Sequence, residues 1–359
     1  MFTSADHGFM ARALDAARLG LHTTTPNPRV GCVIVRDGQV VGEGWHRRAG
    51  EPHAEIVALA EAGGRARGAT VYVTLEPCSH FGRTPPCVET LIEARVGRVI
   101  AAMEDPNPSV NGRGLARLRE AGIDVRCGLL QHEATELNIG FVSRMTRGRP
   151  WVRLKLAASL DGLTALPDGS SQWITGEPAR RDGHVWRARA CAVLTGIGTV
   201  REDDPQLSVR LVETPRQPLK IVVDSRLEID LNAKVLMGAP TWIACAVDNP
   251  DKVAELRDRG CEVLQLPNAQ GKVDLAALMT ELGARGLNEV HVEAGQALSG
   301  SLIRAGVVDE LLTYLAPTLL GRGLPLAALD PPPDLERRLS MRFTDVERLG
   351  DDLRVMARF

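Results

Sequence analysis

Apolar positions along the chain switch repeatedly between helical and strand spacing. Met10, Ala13, Leu14, Ala17 and Leu19 fall roughly on one helical face, predicting an amphipathic helix over 9–19 that stops at Gly20. After the turn-forming Thr25-Pro26-Asn27-Pro28, a near-continuous apolar run over 30–35 leads through Asp37-Gly38 into a second run over 40–44, the pattern of a β-hairpin. Ala54, Ile56, Val57, Leu59 and Ala60 predict a helix over 53–62, followed by a buried strand over 70–75. Helix over 90–94, strand over 99–103, helix over 114–121 and strand over 125–128 continue the alternation, which indicates an α/β layer fold.

The polar, Gly- and Pro-containing stretch Thr146-Arg147-Gly148-Arg149-Pro150 resets the pattern, dividing the chain into domains 1–146 and 147–359. Strands are expected over 151–157, 192–195, 220–223, 241–246, 262–266, 289–293 and 310–315, with helices over 178–189, 252–259, 275–285 and 299–305. The second domain is thus also α/β, without internal repeat. No stretch approaches the roughly 18 to 20 apolar residues that span a bilayer, and the start lacks a basic region followed by an apolar core, so no membrane partner is expected and the cytoplasm is the expected compartment.

With 359 residues, 44% hydrophobic and 25% charged, the chain has material for two cores. Its 43 basic and 45 acidic residues give a net charge of -2, and neither half carries a basic surplus. Nucleic-acid partners therefore lose weight, small anionic substrates stay in play, and a homo-oligomer is left open. The seven cysteines are too sparse for a disulfide framework. Cys32, Cys127, Cys191, Cys245 and Cys261 are read as small buried hydrophobes. Cys78 and Cys87, close together and flanked by prolines, are read as metal ligands.

His53-Ala54-Glu55 opens one helix, and one strand later comes Pro77-Cys78 and then Cys87. One imidazole and two thiolates give zinc three protein ligands and leave a fourth position for water, whose pKa the ion lowers. Glu55, two residues past His53, points elsewhere yet stays near enough to carry a proton, a division suited to hydrolytic deamination. The plainer alternatives are a capping His53 with core cysteines, or a structural zinc site with His80 as fourth ligand. In the second half, Thr195 to Thr199 is a Gly-rich turn after a strand, and Glu293-Ala294-Gly295-Gln296 joins a strand to a helix whose free amides could seat a pyrophosphate. An ordinary βα turn is the alternative; neither element matches Gly-x-Gly-x-x-Gly. The run 337–342 reads as a solvated face, and Trp151, Trp186 and Trp242 as packing residues.

His53-Ala54-Glu55 and Pro77-Cys78 resemble the cytidine-deaminase superfamily, although eight residues rather than two separate the cysteines. That long loop, with Thr25-Pro26-Asn27-Pro28-Arg29-Val30-Gly31 upstream, resembles one branch, the bifunctional riboflavin-biosynthesis deaminase/reductases of bacteria. Lys155 to Gly162, Ser171-Gln172-Trp173-Ile174-Thr175 and Thr195 to Asp204 look like the reductase half of the same family. The resemblance implies a cytidine-deaminase-like three-layer α/β/α domain followed by a dihydrofolate-reductase-like α/β domain. It implies zinc and NADPH as cofactors and phosphoribosylaminopyrimidines as substrates. By resemblance, Ala158, Trp173, Thr199, Asp203, Ser225 and the turn Gly295, Gln296, Ala297, Leu298, Ser299, Gly300 and Ser301 would contact NADPH. Ser171, Arg187, Leu207, Arg210 and Glu293 would contact substrate. Lys155 is a candidate for protonating the sugar oxygen, its plainer role being an ion pair with an acidic neighbour. Two rival readings are a deaminase of another nucleobase whose second domain has lost reduction, and a catalytically dead nucleotide-binding regulator.

Overall fold

The computed structural model describes residues 1–79, 86–108 and 110–359. The chain forms two compact units, Met1–Gly148 and Arg149–Phe359. In the first, α1 (Ser4–Arg18), β1 (Gly31–Arg36), β2 (Gln39–Trp45), α2 (Ala54–Ala62), β3 (Thr70–Val73), α3 (Cys87–Glu93), β4 (Arg98–Ala101), α4 (Arg113–Glu120), β5 (Asp124–Cys127), α5 (Gln131–Leu137) and α6 (Ile139–Arg147) follow in order. The sheet runs β2-β1-β3-β4-β5, antiparallel across β2-β1-β3 and parallel from β3 to β5. Met10, Ala13 and Leu14 of α1 pack on one face with Ala134 and Leu137 of α5. Ala54 and Ala58 of α2, Val88 and Leu91 of α3, and Leu115 and Leu118 of α4 pack on the other. The result is the expected three-layer sandwich.

Local chemistry sets the boundaries. The β1–β2 turn is Asp37-Gly38, with φ of 51° and 75°, the left-handed pair that matches the strands' twist. Helix α1 begins five residues earlier than periodicity suggested, because Thr3 and Asp6 form a reciprocal capping box. Among the cysteines read as buried, Cys127 is only half-buried, since it lies on the edge strand β5.

The face that α2 turns to the sheet is made of its smallest residues. Ile56 and Val57 are half-buried and Ala60 is exposed, whereas Ala54, Ala58 and Ala62, spaced by four, face the sheet. Opposite them lie Gly42 and Gly44 of β2; a Cβ on Gly44 would sit 2.5 Å from the Ala54 carbonyl oxygen, and one on Gly42 2.2 Å from that of Ala58. Small residues on both sides let backbone approach backbone, which fixes the start of α2. Gly44→Ala should therefore cost about 1 to 3 kcal/mol, the usual penalty for overpacking, and lower the first unit's melting temperature. An unchanged melting temperature would show that the contact is slack.

The second unit contains β6 (Trp151–Ser159), β7 (Leu163–Ala165), α7 (Glu177–Arg189), β8 (Ala192–Gly196), α8 (Ile197–Asp203), β9 (Leu219–Val223), β10 (Thr241–Cys245), α9 (Pro250–Asp258), β11 (Glu262–Gln265), α10 (Leu275–Ala284), β12 (Glu289–Glu293), α11 (Gln296–Arg304), β13 (Glu310–Ala316), β14 (Leu324–Pro325), β15 (Arg342–Leu349) and β16 (Asp352–Arg358). Nine strands form one sheet in the order β11-β10-β9-β8-β12-β6-β13-β16-β15. Its members from β11 to β13 are parallel, and the terminal hairpin β15–β16 is antiparallel. This hairpin and helices α5 and α6 were absent from the sequence expectation.

Helix α7 is held on a polar sheet face. Arg153 of β6 is 2% exposed, pairs with Glu289 and Glu310, and stacks its guanidinium 4.3 Å from the Trp186 ring centroid. Asp182 accepts from the Tyr314 hydroxyl at 2.6 Å and from Arg354. Both carboxylates around Arg153 are themselves buried, so the ions compensate one another where a lone charge would be prohibitive. This docking fixes the side chains of His184 and Arg187 on α7.

Candidate functional site

In the first unit, His53 is the N-cap of α2 and has extended backbone, while its carbonyl accepts from the amides of Ile56 and Val57. Cys87 opens α3 and is 1% exposed; Cys78 lies in the segment after β3. The His53 Nδ1 atom lies 3.3 Å from Cys87 Sγ and 3.6 Å from Cys78 Sγ, and the three donor atoms all lie within 4.8 Å of one another. Zinc bonds of about 2.0–2.1 Å to nitrogen and 2.3 Å to sulfur give a tetrahedral N···S edge of about 3.6 Å, so this borderline-soft donor set fits that ion. Hydrogen bonds from Cys87 and His53 hold the Cys78 thiol well below the usual thiol range.

Glu55 is 3% exposed, and burial pushes its carboxyl up to about 7, with His53 pulling the other way. A carboxyl poised there can both take and release a proton near neutrality. Sequence reasoning passed over what holds Cys78 in place. Glu76, 4% exposed, accepts backbone N–H bonds from Asp105, Gly112, Gly114 and Leu115 at 2.8 to 3.3 Å, pinning the Glu76-Pro77-Cys78 segment to the start of α4. An acidic residue two positions before a ligand, just past an apolar strand, was the available signal. Also unforeseen were His46 and Asn27. The His46 ring meets that of His53 edge-on at 5.3 Å; its Nδ1 bonds the Pro52 carbonyl at 3.2 Å and its Nε2 faces Asn27 Nδ2 at 3.0 Å. Those partners set the neutral tautomer, with the proton on Nδ1. His80, the alternative fourth ligand, lies outside the described residues.

In the second unit, Lys155 of β6 and Glu293 of β12 are register partners, with Nζ 3.9 Å from Oε2. Arg187 of α7 grips Glu293 with two nitrogens, Nη2 reaching Oε2 at 2.8 Å and Nε reaching Oε1, and donates through Nη1 to the Ser208 carbonyl at 3.0 Å. Burial opposes ionisation of Glu293, yet Arg187 and then Lys155 hold its carboxyl well below the usual range. Burial lowers the Lys155 pKa, with Glu293 restoring part of it. Lys155, Arg187 and Glu293 are therefore one cluster, joined by the loop carrying Leu207 and Arg210. The Arg210 guanidinium is exposed and makes no ion pair among the described residues.

Beside this cluster, α8 starts at the end of β8 and α11 at the end of β12, and the Gly295 amide donates to Thr199 Oγ1 at 3.2 Å. Leu298 packs on Gly196, where a Cβ would come within 3.0 Å. Two helix N-termini thus meet at the carboxyl ends of neighbouring strands, an arrangement that suits a dinucleotide's phosphates and so fits NADPH. The Gln296 and Ala297 amides belong to the first turn of α11. Further along α11, Ser299 Oγ donates to Ala294, Ser301 Oγ donates to Ala297, and Gly300 is buried, where a Cβ would clash with the Ala328 carbonyl at 2.2 Å. Ala158 is fully buried, and Ser225 Oγ, past β9, accepts from the Val273 amide at 3.2 Å. Trp173 is 66% exposed beneath the Arg180 guanidinium, Ser171 lies nearby in the segment between β7 and α7, and Asp203 is exposed at the last residue of α8. No hydrogen bond or ion pair among the described residues joins these last three to the Lys155–Glu293 cluster.

Comparison with known proteins covers both units. Residues 3–103 match the cytidine and deoxycytidylate deaminase zinc-binding region, and residues 150–355 match the RibD C-terminal domain. Riboflavin biosynthesis protein RibD of Escherichia coli is 48% identical over 97% of this chain and 98% of its own length; that of Haemophilus influenzae is 48% identical over 99% and 97%. The solved structure of Acinetobacter baumannii RibD is 42% identical with a TM-score of 0.90, covering 99% of this chain and 98% of that one. A Thermotoga maritima diaminohydroxyphosphoribosylaminopyrimidine deaminase/5-amino-6-(5-phosphoribosylamino)uracil reductase is 32% identical with a TM-score of 0.88 over 99% and 98%. A likeness that spans the zinc-ligand half and the reductase half together, at these identities, leaves one conclusion: the chain belongs to the RibD family of riboflavin-biosynthesis proteins.

Proposed function

We propose that residues 1–146 deaminate 2,5-diamino-6-(5-phosphoribosylamino)pyrimidin-4(3H)-one and that residues 147–359 reduce the ribosyl group of the resulting 5-amino-6-(5-phosphoribosylamino)uracil to ribityl. The observation that carries this reading is the convergence of His53, Cys78 and Cys87 beside a buried Glu55. Zinc held by those three side chains would act as a Lewis acid and make water a nucleophile near neutral pH. Water adds to the amidine-like ring carbon, the C–N bond breaks and ammonia leaves. Glu55 takes the proton from the water and hands it to the departing amine.

In the second unit NADPH, held at the starts of α8 and α11, would supply the hydride for the new C–H bond at the sugar's C1′. The ring C1′–O bond breaks, and its oxygen gains a proton from Lys155 Nζ. Glu293 holds Lys155 in place; its oxygens, although gripped by Arg187, retain lone pairs for ribose hydroxyls. Arg210, the exposed cation, is assigned to the 5-phosphate. Thr199, Gly295, Gln296 and Ala297 would receive the cofactor, with Trp173, Asp203 and Ser225 at its margins. The reading takes small molecules as partners, leaves a homo-oligomer open and places the enzyme in the cytoplasm; no helix among the described residues is long and apolar enough to cross a membrane.

Zinc analysis and absorbance assays with the diaminopyrimidine substrate, with and without NADPH, test this. Expected are about one zinc per chain, deaminated product without NADPH, and NADPH oxidation when both are present. Deamination with no NADPH oxidation would favour a deaminase whose second domain has lost reduction, and zinc without either activity a binding regulator. Arg210→Ala should weaken turnover of the phosphoribosyl substrate by about 1.5 to 3 kcal/mol, the worth of a charge-assisted hydrogen bond, with NADPH affinity little changed. Weakened NADPH binding with normal turnover would move Arg210 to the cofactor side.

A further inference from the structure

The segment between α8 and β9 carries Leu207 and Arg210 but has almost no regular backbone pairing of its own. Side chains hold it instead. Arg187 Nη1 donates to the Ser208 carbonyl at 3.0 Å; Gln217 accepts from the Val209 amide at 2.8 Å and donates to its carbonyl at 3.0 Å. The Arg210 amide donates to His184 Nδ1 at 3.1 Å. His184 is 5% exposed and lies three residues before Arg187 on α7, so both anchors project from one helical face. Leu207, 3% exposed with φ of 52°, seats the start of the loop in the core.

We infer that His184 is a positioning residue of the reductase site: its Nδ1 fixes the Arg210 backbone, and so aims the Arg210 guanidinium at the substrate's phosphate. The inference rests on the reading of the second unit as a phosphoribosyl reductase. To accept from an amide, Nδ1 must carry a lone pair, with the ring proton on Nε2. Burial, then Arg187 and Arg210, keep His184 deprotonated by lowering its pKa to about 4, although Glu293 opposes this. Removing the acceptor takes away the partner of the Arg210 amide and frees the loop, a loss that falls on substrate binding rather than on the chemical step.

Imidazole geometry makes the test specific. Asparagine Oδ1 can occupy the place of Nδ1, whereas the longer glutamine reaches toward the place of Nε2. His184→Leu and His184→Gln should raise KM for the phosphoribosyl substrate by about tenfold, with kcat within about twofold and NADPH affinity unchanged. His184→Asn should stay within about threefold of the parent KM. Hydrogen exchange at the Arg210 amide should be slow in the parent and in His184→Asn and faster by about tenfold in the other two. Deaminase rate and second-unit melting report folding; if His184→Leu does not fold, the asparagine–glutamine contrast still decides. Equal KM in all variants, equal impairment of Asn and Gln, or a loss confined to kcat would overturn the inference. Absence of NADPH-dependent reduction in the parent chain would instead sink the reductase reading, while amide exchange would still report whether His184 holds the loop.

Discussion

Cys87→Ser should leave the chain with less than about a tenth of a zinc ion and reduce deamination by about a thousandfold or more. Cys87 is the most enclosed of the three donors and is held at the first residue of α3. Serine offers a hard hydroxyl that stays protonated near neutral pH, and His53 with Cys78 alone make a weak pair for a borderline-soft ion. Cys78→Ser should behave alike. Cys191→Ser and Cys245→Ser serve as controls, since both thiols lie in the second unit, where Cys191 Sγ accepts from the Asn288 and Glu289 amides. Metal analysis after gel filtration reads the outcome. Zinc loss from the controls as severe as from Cys87→Ser would mean that unfolding, not ligation, is being measured.

Glu55→Gln should have the opposite signature, with zinc fully retained and deamination lower by about a hundred- to ten-thousandfold, the range expected for loss of a positioned acid–base group. The amide matches the carboxyl in size and is as easily buried, so the fold around it survives. It cannot shuttle the proton. NADPH-dependent reduction of supplied 5-amino-6-(5-phosphoribosylamino)uracil should continue at the parent rate, because Glu55 belongs to the first unit and Lys155, Arg187 and Glu293 to the second. If zinc is lost as well, Glu55 supports the ligand set and the proton role fails.

Much of this was legible in the residues because the chemistry is local in sequence. His53 and Glu55 are two apart, and the Asp37-Gly38 turn, the strand at 289–293 and the glycine after it are short-range signals. What sequence concealed was either a cap or a contact across the fold. The Thr3–Asp6 box extended α1, and the glycines of β2 draw Ala54, Ala58 and Ala62 of α2 against the sheet. Arg187 and Glu293, expected each to meet substrate, also meet each other across 106 positions, which no local pattern predicts. Glu76 and His184 act through backbone amides far along the chain, and side-chain-to-backbone bonds leave no periodicity to read.

The place of β12 bears on how the chain is made. It lies between β6 and β8, strands whose first residues, Trp151 and Ala192, are made long before its own first residue, Glu289. Every strand of the first unit is present once Cys127 has been synthesised, so that sheet can close while translation continues. The second sheet cannot: until residues 289–293 arrive, β6 and β8 expose unpaired edges, and non-local pairing of this kind is slow. A nascent chain arrested before Glu289 should therefore carry a protease-resistant amino-terminal unit tethered to an aggregation-prone remainder, making the supply of one five-residue strand the event that commits the second unit to its native sheet.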